Sequence, residues 1–123
     1  MTPTQRAQLA DETVAATLRR LPPAVRDIAA RVPVVHHDWP SEEILGDEFE
    51  PDILGMFVGP PFDAPTGETP EIAPHILLFL ENIWDYAEDD PRTFREEVRL
   101  TYLHELGHYL GWDEDEVAAR GLE

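Results

Sequence analysis

Apolar residues recur along the chain with two periods, and each period predicts a kind of element. From Thr4 to Leu21, Leu9, Val14, Leu18 and Leu21 fall at three- to five-residue intervals with alanines between them, the spacing of an amphipathic helix. Pro22-Pro23 breaks it. Ala24 to Arg31 resumes helical spacing through Val25, Ile28 and Ala29. Val32, Val34 and Val35 then predict a strand running into His36-His37-Asp38, with Pro33 marking an early or edge position in a sheet. Ser41 to Leu45 predicts a short helical turn closed by Gly46, and Ile53 to Val58 a second strand. Gly59 opens a loop to Pro74 that holds five prolines in sixteen residues. His75 to Leu80 predicts a third strand and Glu81 to Glu88 a short helix. Asp90-Pro91 then starts a long helix, with Asp as cap and Pro in the first turn. No internal repeat is present.

These elements belong to an α+β fold, and the length confines them to one domain, residues 1–123, because two independent cores would each be too small. Hydrophobic residues make up 42% of the chain and charged residues 28%, which is globular composition. The longest apolar stretch, Ile76 to Leu80, is strand length, far short of a membrane span, and the start of the chain lacks the apolar core of a secretion signal. Cysteine is absent, which excludes disulfides, thiolate metal sites and cysteine nucleophiles. A cytoplasmic location is the expectation.

Charge narrows the choice of partners. The net charge is -17, and all nine basic residues are arginines, confined to the first 31 and last 32 positions. Val32 to Pro91 carries acids and no base. Such a chain repels phosphate backbones and anionic lipid, so neither nucleic acid nor membrane is the expected partner. A cation, or a basic or neutral peptide, suits it better.

The last long helix carries the candidate chemistry. Leu100, Tyr102, Leu103, Leu106, Tyr109 and Leu110 surround its second half with apolar side chains, and His104, Glu105 and His108 are set among them. Burying such groups without partners costs several kcal/mol, so something must satisfy them. His104 and His108, four residues apart, stand one turn above each other, close enough for both imidazoles to reach one ion such as Zn2+. Glu105 is offset by about 100° around the helix, which places it at the rim of that metal face. A carboxylate there can act as general base toward a metal-activated water. This is His-Glu-x-x-His on a helix, a pattern that three matching letters produce by chance roughly once in forty such chains.

Two further residues sharpen the pattern. Gly111, three positions after His108, is placed to end the helix in a left-handed conformation and turn the chain back toward the metal. Three residues on, Glu114 is the candidate third ligand, with Asp113 and Asp115 as alternatives. Two nitrogens and one carboxylate oxygen leave a fourth tetrahedral position open, as in a catalytic zinc site.

The stretch from His104 to Glu114 resembles the extended zincin signature, in which the final position supplies the third zinc ligand. More narrowly, the chain resembles the small bacterial zincin-like metallopeptidases. The similarity runs from Ile53-Leu54-Gly55-Met56-Phe57-Val58-Gly59 through the third strand to the motif helix, and is weaker before residue 50. The resemblance implies a minimal zincin-like domain, about three strands in a mixed sheet packed on a backing helix and the motif helix. It also implies a peptidase hydrolysing amide bonds of a peptide or protein substrate, with Ile53 to Val58 pairing with extended peptide. Three features depart from the wider pattern: Glu stands at 114 where Asp or His is usual, no methionine follows the motif, and no oxyanion donor is evident because Tyr102 and Tyr109 point away from the ligand face. They leave a non-catalytic zincin-fold binding module, with a homodimer as its partner option, as the alternative.

The remaining polar and aromatic residues have structural readings. His36 and His37 face solvent or bond locally, and His75 is structural. Met56 and Phe57 pack at the core or rim, and Trp84 with Tyr86 anchors the short helix. Gly107 implies close approach of another backbone near the metal.

Overall fold

The computed structural model describes residues 1–62 and 73–112. α1 spans Pro3–Arg19 and starts one residue before the predicted point, because Thr2 caps it. The Thr2 hydroxyl accepts from the Gln5 N–H at 3.1 Å and the Gln5 side chain accepts from the Thr2 N–H at 2.8 Å, a reciprocal capping box. α1 ends at Arg19, and α2 follows over Pro23–Ala29 with Pro23 in its first turn.

The buried face of α1 differs from the leucine stripe its pattern predicts. Arg6, Ala10, Thr13 and Thr17 are the buried positions, whereas Leu9, Val14 and Leu18 are only half-buried against the core. The threonines can be buried because their hydroxyls donate to carbonyls one turn back, Thr13 to Leu9 at 2.6 Å and Thr17 to Thr13 at 2.7 Å. Arg6 is buried because it has partners: its guanidinium pairs with Glu81, donates to the Met1 carbonyl and lies 5.2 Å over the Trp84 ring.

Three strands form one mixed sheet in the order β1-β3-β2. β1 (Val34–His37) pairs parallel with β3 (His75–Phe79), Val34 opposite Ile76 and His37 opposite Phe79. β2 (Gly55–Val58) pairs antiparallel with β3, Gly55 opposite Leu78. β1 is an edge strand, as its proline requires, and the Pro33 carbonyl still accepts from the Ile76 N–H at 2.9 Å. β2 is shorter than predicted. Ile53 and Leu54 fall outside the strand, although the Leu54 carbonyl still accepts from the Phe79 N–H at 2.9 Å, and the Asn82 side chain donates to the Pro51 and Ile53 carbonyls at 2.8 and 2.9 Å and ties that segment to α4 instead.

α3 (Glu42–Leu45) is the predicted turn, capped by Ser41 and closed by Gly46. α4 (Leu80–Tyr86) stops before Glu88 and Asp89, both of which have positive φ. Trp84 anchors α4 edge-on against Phe94, 5.6 Å between ring centroids, but Tyr86 is 62% exposed and anchors nothing. α5 (Pro91–Leu110) runs twenty residues from its Asp90 cap. One face of the sheet presents Ile76 and Leu78 to a core shared with Phe94, Val98, Tyr102 and Leu106 of α5. Among the described residues no helix is long and apolar enough to cross a membrane.

Candidate metal centre

The C-terminal half of α5 sits against β2, and the contact is close because β2 begins with glycine. A Cβ on Gly55 would stand 2.7 Å from the Thr101 methyl, 2.9 Å from the Leu77 carbonyl oxygen and 3.5 Å from Cγ of Glu105. The helix therefore lies nearly flush on the strand, directly beside the motif. Gly55 was not singled out from the sequence, although a lone glycine inside a strand pattern signals such an approach.

His104 and His108 face outward on adjoining turns, their ring centroids 4.4 Å apart. Glu105 turns the other way. Its offset around the helix carries it under β2, not to the solvent rim, and it is only 5% exposed whereas His104 and His108 are exposed. The Glu105 carboxylate lies 3.2 Å from Nδ1 of His108, and one ligand atom from each of the three residues lies within 4.8 Å of the others. Burial pushes the Glu105 carboxyl above its ordinary range, while the neighbouring His108 and His104 pull it back in part.

Two imidazole nitrogens at i, i+4 are a donor set zinc accepts, so His104 and His108 fit the ion the motif implies. The third ligand expected from the sequence, Glu114, lies outside the described residues, as do Asp113 and Asp115. The turn that leads to them is described. Gly111 takes φ 76° and ψ 20°, its N–H donates to the His108 carbonyl at 3.1 Å, and the Trp112 N–H donates to the Gly107 carbonyl at 2.8 Å. These paired bonds are the Schellman closure of a helix, and they reverse the chain one turn past His108.

A cleft of about 480 Å³ opens at the histidines, walled by Phe49, Ile53, Leu54 and Leu100 and floored by Thr101 and Glu105. Its apolar wall comes largely from the segment before β2. Both tyrosines point away from it, as expected. Tyr102 lies in the core, where burial pushes its phenol up to about 12, and Tyr109 packs on Phe57 and Phe62 at 5.2 and 5.8 Å. The other histidines stand apart from the cleft. His36 is 3.4 Å from Asp11, His37 stacks on Phe79, and Nδ1 of His75 contacts the Ala73 carbonyl at 2.8 Å.

No curated protein matches the chain. A family match does exist, and it runs over residues 29–122, from the end of α2 through β1, the sheet and the whole of α5. α1 and nearly all of α2 fall outside it. The matched part contains the strand that seats Glu105 and the helix that carries both histidines, so sequence family and local geometry agree. This chain belongs to the zincin-like metallopeptidase family.

Proposed function

We propose that the chain is a zinc-dependent peptidase in which His104 and His108 hold the metal, Glu114 completes the ligand set and Glu105 is the general base. Zinc, when bound, would supply a Lewis acid and increase the acidity of a water. The remaining steps fall to side chains. Glu105 takes a proton from the attacking water and delivers it to the leaving amine. Burial, which raises the proton affinity of this carboxyl, favours the first half of that task, because a more basic carboxylate accepts the proton more readily. The apolar wall around Phe49 and Leu54 excludes water, and β2, paired to β3 on one side, presents backbone groups to an extended peptide on the other. A peptide substrate also fits a chain whose charge repels nucleic acid and anionic membranes.

The observation that carries this reading is the convergence of two exposed imidazoles on a buried carboxylate at the floor of an open cleft. The test is zinc content per chain together with hydrolysis of a mixed peptide library. Glu105→Gln is expected to retain zinc and lose roughly 10²- to 10⁴-fold in rate, the usual contribution of a general base. His108→Ala is expected to lose both zinc and activity. Hydrolysis that survives Glu105→Gln would refute the assigned base, and full zinc occupancy without cleavage of any peptide would make the chain a binding module.

A further inference from the structure

Four of the nine arginines of this acidic chain meet in one place. A groove of about 520 Å³ runs between α1 and α5, and Arg20, Arg92, Arg95 and Arg99 all line it, with Glu96 the one carboxylate among its lining residues. Glu96 is engaged by Arg99, whose Nε donates to it at 3.1 Å, and this holds the Glu96 carboxyl below its usual range. Among the described residues no carboxylate comes within ion-pair distance of Arg20, Arg92 or Arg95. The described acids are many, and none of them is placed to match these three.

The placement is also unfavourable within the helix. Arg92 and Arg95 occupy the first two turns of α5, where the helix dipole is positive, and the acid at that end, the Asp90 cap, is attracted to Arg92 but bonded to Thr93. Arg92, Arg95 and Arg99 recur at three- and four-residue spacing, so like charges stack along one face over about 10 Å. Arg20, at the end of α1, faces them from across the groove. Repulsion concentrated in this way, in a protein that elsewhere pairs Arg6 with Glu81, is relieved by an anion that several guanidiniums grip together.

We propose that the α1–α5 groove binds a compact multivalent oxyanion, of phosphate or carboxylate chemistry, at a site separate from the histidine centre. The volume lies within the range of small-ligand sites. The groove draws part of its wall from α1, which lies outside the family match.

Calorimetric titration of the full chain at constant ionic strength tests this, with inorganic pyrophosphate in one arm and citrate in the other. One anion per chain is expected, weakening as salt rises. The double variant Arg92→Gln/Arg95→Gln should lose at least about tenfold in affinity, because two charge-assisted contacts disappear. Both side chains are exposed, and far-UV circular dichroism checks that the variant folds. His108→Ala should bind as the wild type does, which separates this groove from anion capture at the metal centre. Tighter binding of pyrophosphate assigns phosphate chemistry, and tighter binding of citrate assigns carboxylate chemistry. The proposal is overturned if neither anion binds at millimolar concentration, if the double variant binds equally well, if His108→Ala abolishes binding, or if a glutamate-rich peptide binds where both small anions fail.

Discussion

Two carboxylates in this molecule, Glu105 buried and Glu81 half-buried, have been given opposite company. Glu81, at the start of α4, meets the guanidinium of Arg6, which is permanently charged, stacked on Trp84 and tied to the Met1 carbonyl. Glu105 meets imidazoles, which are weak bases open to solvent, and no guanidinium appears among its described ion pairs. A fixed partner makes a carboxylate part of the architecture. Titratable, exposed partners leave its proton affinity free to be raised by burial and its lone pairs free to work on something else. The first arrangement ties α1 to α4, and the second faces a cleft.

The contrast is sharpest when one partner is removed. Glu81→Leu leaves the Arg6 guanidinium buried without its counter-charge, and stability is expected to fall by about 3 kcal/mol, the lower end for broken buried pairs because Glu81 keeps 17% of its side chain exposed. In a domain of this size that lowers Tm by roughly 10 °C, while peptide hydrolysis per folded molecule stays unchanged. The double variant Arg6→Met/Glu81→Leu should recover most of the loss. Glu105→Gln should show the opposite profile, with Tm retained and rate lost. A Glu81→Leu protein with wild-type Tm, or a Glu105→Gln protein that unfolds, would erase the distinction.

An intermediate effect is expected at Gly55, which governs how tightly Glu105 is covered. Gly55→Ala forces a Cβ to within 3 Å of both the Thr101 methyl and the Leu77 carbonyl, so β2 must move off α5. The expected cost is about 1–3 kcal/mol, accompanied by reduced hydrolysis because the displaced strand borders Glu105. Thr101→Ser in the same chain removes the nearest methyl and should restore part of the stability, leaving the backbone contact with Leu77. Denaturant unfolding of the three variants measures this. If Gly55→Ala matches the wild type in both stability and rate, then the close seating of β2 does not matter to the site.

How much of this could be read in the sequence depends on whether a feature is local. The His104–His108 spacing, the Asp90 cap, the short turn closed by Gly46 and the left-handed Gly111 are set by a few neighbouring residues, and each was legible. So were the three strands, because their apolar runs are short and bounded by turn residues. The buried face of α1 was not, since Thr13 and Thr17 hide their hydroxyls by bonding back along their own helix and Arg6 depends on Glu81, 75 residues away. The late start of β2 goes with Asn82, and the burial of Glu105 depends on Gly55, both distant in sequence. Periodicity locates a residue on a face, but only the packed partner decides whether that face is wet.

A third carboxylate supplies the exposed limit of the comparison and the smallest expected effect. Asp90 caps α5, accepting the Thr93 N–H at 2.9 Å and the Thr93 hydroxyl at 2.6 Å, and these bonds hold its carboxyl below the ordinary range, with the Thr93 hydroxyl the largest cause. A folded pKa below the unfolded one means that the cap's ionisation stabilises the fold above the unfolded value, near 3.8, and that this contribution disappears as pH falls through the lower folded value. Asp90→Asn keeps a capping oxygen but cannot ionise. Wild type should therefore be slightly more stable than Asp90→Asn at pH 7, and the two Tm values should converge on acidification below the ordinary carboxylate range. A gap between Asp90 and Asn that persists unchanged into acid would mean that the cap acts through shape and hydrogen bonding, with charge contributing nothing.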